Sequence, residues 1–259
     1  MELLVRHPVR APAVPIVATL PHSGTYVPEE IAMGFEPGHH AWLRNTDWHL
    51  QHVYDFLPDL GITVLEATHS RYVADLNRNP AGPRFGAFFA AVVAERTAQG
   101  APVYAVAPTA DDLATRVSRY HAPFHAELAA VLRSYVDRFG RVVLLDLHSF
   151  MGPIANDVCL GDGGGTTCTS AILGTVQGAL GAHGFDVVVN TPFSGGHLVR
   201  CHGALPGVDA LQVELRYTTY LDCARIDEPV VPAVDPARIQ QVQARLRPAF
   251  QAIAWAMTR

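Results

Sequence analysis

The chain alternates short apolar runs with longer segments in which apolar residues recur every three or four positions. Short runs of this kind are typical of buried β-strands, and the longer period is typical of amphipathic helices. The strand candidates are Ile16 to Leu20, Ile62 to Ala67, Val142 to Leu147, Val187 to Asn190 and Leu211 to Leu215. Because helix-length segments separate these runs, the pattern predicts an α/β fold with a mixed, mainly parallel central sheet flanked by helices.

Three segments combine the helical period with start or stop signals. The first runs from Thr109, a capping residue, to Gly140, and its Pro123 is expected to bend it. The second ends near Gly184, and the third follows Asp235 and continues almost to the end of the chain. We therefore predict three long helices over these segments.

Two further segments are predicted to be helical on weaker patterns, and one is predicted to be a loop. Residues 42–57 carry a helical spacing of apolar side chains, as do residues 85–99 less regularly. The glycine-rich stretch over 161–167 lacks both the GK[ST] ending of a phosphate-binding loop and the GxGxxG spacing. We therefore expect a flexible loop there.

Length and charge narrow the class of protein. A chain of 259 residues can form one α/β core, so we expect a single domain over residues 1–259. The net charge of −5 provides no broad basic surface for nucleic acid. No segment approaches the roughly 20 apolar residues that span a bilayer, and the N-terminus has no export-signal pattern. We expect a cytoplasmic protein with neither a membrane nor a nucleic-acid partner.

The types of reactive residue narrow the chemistry further. All 19 basic residues are arginine, which excludes a Schiff-base lysine, a lysine base and a phosphate-loop lysine. The four cysteines show no CxxC spacing and are too few for a secreted disulfide scaffold, so they are expected to be reduced thiols. The absence of lysine therefore excludes these lysine-dependent mechanisms.

Two histidines stand at the ends of apolar strand candidates. His22 follows the run PIVATLP, and His148 follows VVLLDL. Ligands bind at the carboxyl ends of parallel strands, and a catalytic zinc usually has three protein ligands and one open position. We therefore expect these histidines to share a metal site. The alternative is that both are buried histidines whose nitrogens find backbone partners.

Several spaced motifs resemble those of one known family. PHSG, DLNRNP, LDLHS and VELR occur in the order of the N-formylglutamate amidohydrolase family, and NTPFSGGHLVRCHGALPGVDALQVELRY resembles the distal half of its signature. The resemblance covers roughly residues 15 to 220. It implies a zinc-carboxypeptidase-like α/β fold, akin to aspartoacylase, and one bound Zn²⁺. It also implies hydrolysis of N-formyl-L-glutamate to formate and glutamate in histidine degradation.

The resemblance also implies roles for two carboxylates. Related peptidases use HxxE, but Thr25 stands three residues after His22, so the acidic ligand must lie elsewhere. We predict Asp47, in NTDWH, as the third metal ligand at the start of a helix, with Glu66 as the alternative. Glu214 interrupts an apolar strand and is expected to face the site as the general base and acid. Its alternative role is an ion pair with a nearby arginine.

A polar segment after one strand is suited to an acidic substrate. Arg71 is implied to stabilise the oxyanion, and Asn77 and Arg78 to bind the substrate carboxylate. Arg200 and His202 are implied as further substrate contacts. The alternative is a purely structural role, in which the arginines connect loops through ion pairs. We interpret the other helical histidines, the pairs His49 with His52 and His121 with His125, as packing or surface residues.

One departure from the family pattern concerns the substrate. The family often has HS-x-R-S after the second histidine, whereas this chain has HSFMGP, with Met151 and Gly152. The missing arginine leaves open a metal-dependent hydrolase of another N-acyl amino acid or a short acidic peptide. A non-catalytic carboxylate-binding protein is a further alternative. The oligomeric state does not follow from these patterns.

Overall fold

A seven-stranded sheet crosses the centre of the protein, whose computed structural model describes all residues, 1–259. The strands of the protein are β1 (Leu4–His7), β2 (Ile16–Leu20), β3 (Thr63–Ala67), β4 (Phe85–Gly86), β5 (Val93–Ala94), β6 (Val142–Phe150), β7 (Val158–Gly161), β8 (Val187–Val189) and β9 (Val208–Arg216). The sheet order is β1-β3-β2-β6-β9-β7-β8, and β4 pairs with β5 separately.

The sheet is mixed and mainly parallel, as the sequence predicts. Four of its neighbouring pairs are parallel, namely β2 with β3, β2 with β6, β6 with β9 and β7 with β8. The antiparallel pairs are β1 with β3 and β7 with β9. The carboxyl ends of β2, β6 and β9 therefore lie at one edge, where ligands bind in such sheets.

Seven helices pack around the sheet. They are α1 (Glu29–Ala32), α2 (Leu50–Val53), α3 (Ala110–Arg116), α4 (Ala122–Phe139), α5 (Ser170–Ala182), α6 (His197–His202) and α7 (Pro236–Met257). Short 3-10 turns cover Leu57–Leu60 and Tyr217–Thr219. None of the helices combines the length and apolar composition needed to cross a membrane.

Hydrophobic cores form on both faces of the sheet. All nine residues of β6 are buried, and alternate side chains point to opposite faces. Val142 and Leu144 join the core beneath α4, whereas Val143 and Leu145 join the larger core that contains α5 and α7. Because both faces of this strand are covered, it reads in the sequence as a nearly continuous apolar run.

The long predicted helices are confirmed, with one interruption. Asp235 caps α7 by accepting hydrogen bonds from the Ala237 and Arg238 backbone N–H groups. The helix predicted from Thr109 to Gly140 consists of α3 and α4, joined by a π turn over Val117–His121. Pro123 lies in the first turn of α4, where its missing N–H leaves no helical hydrogen bond unmade.

Two weaker helix predictions are wrong. Residues 42–57 are mostly turns with only the short α2, because Asn45 and His49 have φ values of 61° and 62°, outside the right-handed helical region. Asp47 therefore lies in irregular backbone before α2 and does not begin a helix. Residues 85–99 contain the two-residue strands β4 and β5. The predicted loop is confirmed over 162–167, which are mostly turns, whereas Gly161 is the last residue of β7.

Candidate metal and substrate site

The polar residues of the site come from the ends of three neighbouring strands. His22 lies two residues beyond β2, while His148 and Glu214 lie near the ends of β6 and β9. His148 and Glu214 are direct neighbours in the parallel register of these strands. Strand β6 continues to Phe150, beyond the predicted end at Leu147, so His148 is part of the strand. The sheet therefore holds these side chains on rigid backbone.

His22, Asp47 and His148 meet as a buried cluster of candidate metal-binding side chains, which we call the ligand cluster. Their candidate donor atoms all lie within 4.8 Å of one another. Asp47 Oδ2 is 3.1 Å from His148 Nδ1 and 3.7 Å from His22 Nδ1. Two imidazole nitrogens and a carboxylate oxygen form a donor set that suits a divalent metal ion such as zinc. The residues present therefore fit the metal that the resemblance implies.

Two further carboxylates hold the outer nitrogens of the histidines. His22 Nε2 lies 2.8 Å from Asp75 Oδ1, and His148 Nε2 lies 2.9 Å from Asp146 Oδ2. Metal-ligating histidines usually donate their second N–H in this way, which fixes the ring orientation. The sequence prediction missed Asp146, although its position two residues before His148 on one strand places both side chains on the same face.

Asp47 reaches the cluster through a turn that is tied to the strand ends. The Asp47 backbone N–H donates to the His22 carbonyl at 3.0 Å, and the Tyr217 hydroxyl donates to the Thr46 carbonyl at 2.6 Å. The alternative ligand, Glu66, lies elsewhere and contacts His7 Nε2 at 2.8 Å. Of the two carboxylates considered from sequence, only Asp47 is brought to both histidines.

Burial and neighbouring charges shift the pKa values of the two histidines in opposite directions. Burial lowers the pKa of His22 to about 4. Burial also disfavours the charged form of His148, but the carboxylates of Asp146, Asp47 and Glu214 outweigh it and raise the His148 pKa well above its usual value. Both nitrogens of His148 face carboxylates, and a metal ion that binds Nδ1 takes the place of a proton on that nitrogen.

Glu214 is a buried carboxyl group beside the cluster. Only 8% of its surface is exposed, and its Oε1 accepts a hydrogen bond from Gln212 Nε2 at 2.8 Å. Burial, reinforced by the negative charge of Asp47 and Asp146, raises the Glu214 pKa to about 7. A carboxyl group with this pKa can both accept and return a proton near neutral pH.

Two of the predicted arginines surround Asp75. Arg71 donates to Asp75 Oδ2 from Nε at 3.1 Å and from Nη2 at 2.7 Å, while Arg78 Nη2 lies 3.7 Å from the same oxygen. These two arginines, together with His22, outweigh burial and hold the pKa of the Asp75 carboxyl well below its usual value. Asp75 thus connects the arginines to the ligand cluster through His22.

Asn77 links the segment of Arg71 to Arg78 to the ligand cluster and to α6. Its Nδ2 lies 3.3 Å from His148 Nε2, and its Oδ1 accepts a hydrogen bond from the Leu198 N–H at 2.8 Å. A side chain on Gly196 would place a Cβ 2.3 Å from the Asn77 amide. The glycine therefore permits the close approach of α6 to Asn77.

A cavity of about 570 Å³ opens onto these side chains. Its polar lining consists of the ligand cluster, Glu214, Arg71, Asn77 and Arg78. Its aromatic walls include Trp42, Phe88 and Phe150. Arg200 and His202 lie outside this lining: Arg200 Nε donates to the Gly195 carbonyl, and His202 contacts His125. They are not brought together with the other predicted site residues.

Arg44 also lines the cavity and was missed by the sequence prediction. Its guanidinium group lies 4.0 Å from the centre of the Trp42 ring, and its Nη2 lies 3.4 Å from the Asp227 carbonyl. No carboxylate pairs with it, unlike Arg71 and Arg78. It lies in the turn region that was predicted to be helical, so its position could not be deduced from the pattern.

Comparison with known proteins identifies the family. The N-formylglutamate amidohydrolase profile matches residues 14–221. An N-formylglutamate deformylase of Pseudomonas aeruginosa is 31% identical over 221 residues, covering 81% of this chain and 83% of the relative. A protein of the same name from Pseudomonas putida is 29% identical, covering 95% of each chain.

A solved structure agrees with this match. The crystal structure of N-formylglutamate amidohydrolase from Ralstonia eutropha has a TM-score of 0.83 and 25% identity, covering 99% of both chains. The names of these relatives denote hydrolytic enzymes that act on a linear amide, and the predicted enzyme class is confirmed. This chain belongs to the N-formylglutamate amidohydrolase family.

Proposed function

We propose that this protein hydrolyses N-formyl-L-glutamate to formate and L-glutamate, with one Zn²⁺ held by His22, Asp47 and His148. The observation that carries the proposal is the meeting of this buried donor set with the unligated carboxyl group of Glu214 in one cavity. A zinc ion held by these residues would supply Lewis acidity, which would make water more acidic and the formyl carbon more electrophilic.

Glu214 moves the proton in the proposed reaction. Its carboxylate accepts a proton from water as the water oxygen forms a bond to the formyl carbon. The same carboxyl group then delivers that proton to the amide nitrogen as the C–N bond breaks, releasing formate and the amine. A Glu214 pKa of about 7 supports this exchange, because a proton is taken up and returned at little cost near neutral pH.

Arg71 is proposed to stabilise the negative charge that develops on the formyl oxygen. Its side chain is buried, lines the cavity and is held by Asp75, so its orientation is set before substrate binds. A prearranged donor of this kind needs no reorganisation as charge develops. Asn77 and Arg78, which also line the cavity, are proposed to bind the α-carboxylate.

Arg44 is proposed to bind the side-chain carboxylate of glutamate. It is the guanidinium group in the cavity that has no carboxylate partner, so a substrate carboxylate adds an attraction that no internal ion pair competes with. Met151, which stands where family members often have arginine, lines the same cavity. Arg44 would therefore supply the charge that is missing from the segment after His148.

A second candidate function is hydrolysis of an N-acyl amino acid with a larger acyl group. The cavity of about 570 Å³ falls within the range of pockets that hold drug-sized ligands, about 300–1,000 Å³. Its walls include Phe88, Phe150 and the half-exposed Met151, which suit apolar groups. This alternative keeps the same metal donors, base and reaction type.

The deciding experiment measures amine release from N-formyl and N-acetyl derivatives of glutamate, glutamine and leucine. We expect N-formylglutamate to have the highest kcat/KM, and a chelator to abolish its hydrolysis until zinc is restored. Glu214→Gln should lower kcat by about 10²-fold or more, whereas Glu66→Gln, outside the site, should retain activity. A preference for N-acetyl derivatives would favour the second candidate, and full activity of both chelated protein and Glu214→Gln would refute both.

We also propose that this protein is a single-domain enzyme that acts in the cytoplasm in the breakdown of histidine. The four cysteines are unpaired, which suits a reducing compartment. One seven-stranded sheet carries both hydrophobic cores, which supports one cooperative unit over residues 1–259. A single, probe-independent unfolding transition would support the one-domain assignment, and two separate transitions would contradict it.

A further inference from the structure

Four histidines form a second cluster that does not line the substrate cavity. His121 and His125 lie one turn apart, at the junction of the π turn with α4 and within α4, and His197 and His202 lie at the two ends of α6. His121 and His202 are buried, at 2% and 3% exposed. The sequence pattern predicts packing or surface roles for the first pair, and the proposed reaction uses none of the four.

The side-chain nitrogens of three of these histidines converge. Candidate ligand atoms of His121, His125 and His197 lie within 4.8 Å of one another. The rings of His121 and His125 are stacked with centroids 4.3 Å apart, and the His197 ring lies 5.9 Å and 5.3 Å from them. Three neutral imidazole nitrogens are a common protein ligand set for zinc.

Backbone carbonyls determine which nitrogen of two rings is free. His121 Nε2 donates to the Arg78 carbonyl, and His125 Nε2 donates to the Leu76 carbonyl, each at 2.9 Å. A carbonyl oxygen can only accept, so both Nε2 atoms carry the proton and both Nδ1 atoms keep a lone pair. Metal-ligating histidines typically show this arrangement, with one nitrogen on the metal and the other N–H on a carbonyl.

The fourth histidine, His202, donates a hydrogen bond to the lone pair of His125 Nδ1. His202 Nε2 lies 2.9 Å from His125 Nδ1, and the two rings are parallel at 6°. Because His125 Nδ1 is the acceptor, His202 Nε2 must be the donor. Binding of an ion by His125 therefore requires His202 to give up this hydrogen bond.

The cluster holds little charge that would oppose a cation. Burial lowers the pKa of His125 to about 3 and that of His202 to about 4. Burial also lowers the pKa of His121 and His197 below the usual value. Neutral imidazoles bind a metal without first losing a proton.

We propose that His121, His125 and His197 form a second site for a divalent transition-metal ion such as zinc, separate from the catalytic ion. Ligand nitrogens of a tetrahedral zinc, at about 2.0–2.1 Å from the ion, lie roughly 3.3 Å apart. The rings must therefore draw together and depart from the stacked arrangement on binding. This inference does not rest on the proposed reaction, since it uses other residues.

The position of this site indicates what the ion would do. The two carbonyls that fix His121 and His125 belong to Arg78 and Leu76, which flank Asn77 in the sequence. An ion would strengthen both histidine N–H donors and so hold the substrate-binding segment in place. The ion is thus assigned a positioning role, with no contact to the reacting atoms.

A second ligand set that shares His125 is less suitable. Ligand atoms of His125, Cys201 and His202 also lie within 4.8 Å of one another. Cys201 is exposed, and partial burial of its thiol raises the Cys201 pKa, which favours the protonated form that does not bind metal. We therefore expect Cys201→Ser to bind metal like the parent protein.

The test is the zinc stoichiometry of the full chain after chelation and dialysis against micromolar free zinc. We expect two ions per chain in the parent protein and in the control His52→Gln, and one in His197→Gln and in His22→Ala. His197 is partly buried and His52 is exposed, so neither substitution should prevent folding. Cobalt substitution gives a second readout, because removing one site should remove part of the visible absorption.

The outcomes separate this inference from the proposed function. One ion in the parent that is lost in His197→Gln but kept in His22→Ala would support the second site and refute the proposed catalytic site. One ion that is lost in His22→Ala but kept in His197→Gln would overturn the second site. Loss of an ion in Cys201→Ser, with His197→Gln unaffected, would overturn the ligand set named here.

Discussion

Glu214 illustrates how the environment of one residue supplies chemistry that its type alone does not. A carboxyl group in water is ionised at neutral pH, but burial beside Asp47 and Asp146 raises the Glu214 pKa to about 7. The sequence indicates this residue because a charge interrupts an apolar strand. The magnitude of the effect depends on carboxylates from two other segments, which only the folded chain brings near.

The raised pKa predicts a stability gain for Glu214→Gln in metal-free protein. Ionising Glu214 costs free energy in the folded state, and this cost appears as pH rises from its unfolded value of about 4.5 through about 7. The variant should therefore be more stable than the parent by on the order of 3 kcal/mol above about pH 8 and no more stable below about pH 4. Denaturant titrations at both pH values measure this, and a pH-independent difference would contradict it.

Arg44 predicts selectivity for an acidic side chain. Arg44→Gln should raise KM for N-formylglutamate by about 10- to 100-fold, because a charged hydrogen-bonding partner is lost. KM for N-formylglutamine should change much less, and kcat should remain similar for both substrates. Arg200→Gln, outside the cavity lining, is the matched control. Equal changes in KM for the two substrates would exclude Arg44 as the carboxylate ligand.

The hydrogen-bond partners of the ligand cluster show how far site residues can be predicted one position at a time. His22 and His148 could be chosen because each follows an apolar run. Asp75 lies in the motif DLNRNP, but the motif does not indicate its contact with His22 Nε2, and the sequence prediction does not include Asp146. His22 and Asp75 lie 53 positions apart, so no local period reveals their contact, whereas the contact of Asp146 with His148 agrees with the two-residue period of a strand.

At the scale of elements, strands were predicted better than the turns that complete the site. A buried strand reads as an apolar run, which is a local signal. The segment that delivers Asp47 and Arg44 has a helical spacing of apolar residues, but positive φ values at Asn45 and His49 prevent a long helix. Its conformation depends on contacts with distant segments, such as the Tyr217 hydrogen bond to Thr46.

The packing of α6 against Asn77 predicts the effect of a single methyl group. In Gly196→Ala the new Cβ would lie 2.3 Å from the Asn77 amide, so that amide must move. We expect kcat/KM to fall by on the order of 10- to 100-fold, since a misplacement of about 1 Å can cost this much.

The control for this substitution is Gly178→Ala in α5, where a Cβ would meet nothing within 4 Å. That substitution should leave activity unchanged and stabilise the protein by about 0.5–1 kcal/mol, since alanine suits a helix interior better than glycine. Steady-state kinetics and thermal unfolding measure both variants. Unchanged kinetics in Gly196→Ala would show that Asn77 does not need its observed position.

For the whole molecule, the site predicts that metal binding and folding are linked. His22, Asp47 and His148 come from three segments of the chain, so the donor set exists only in the folded state. Free zinc at about 100 times its dissociation constant should stabilise the protein by about 2.7 kcal/mol per site. Thermal unfolding with zinc and with chelator measures the shift, and His148→Ala should remove the catalytic-site share. An unchanged midpoint in the parent would contradict the linkage.

The sequence by itself determined the mainly parallel sheet, the long helices and the two strand-end histidines. These features could be predicted because the spacing of apolar residues along the chain indicates buried strands and amphipathic helices. Tertiary structure alone decided that Asp75 holds His22, that Arg44 enters the cavity, and that Arg200 and His202 lie outside it. These outcomes depend on distances between remote segments, which arise only when the sheet and helices pack together.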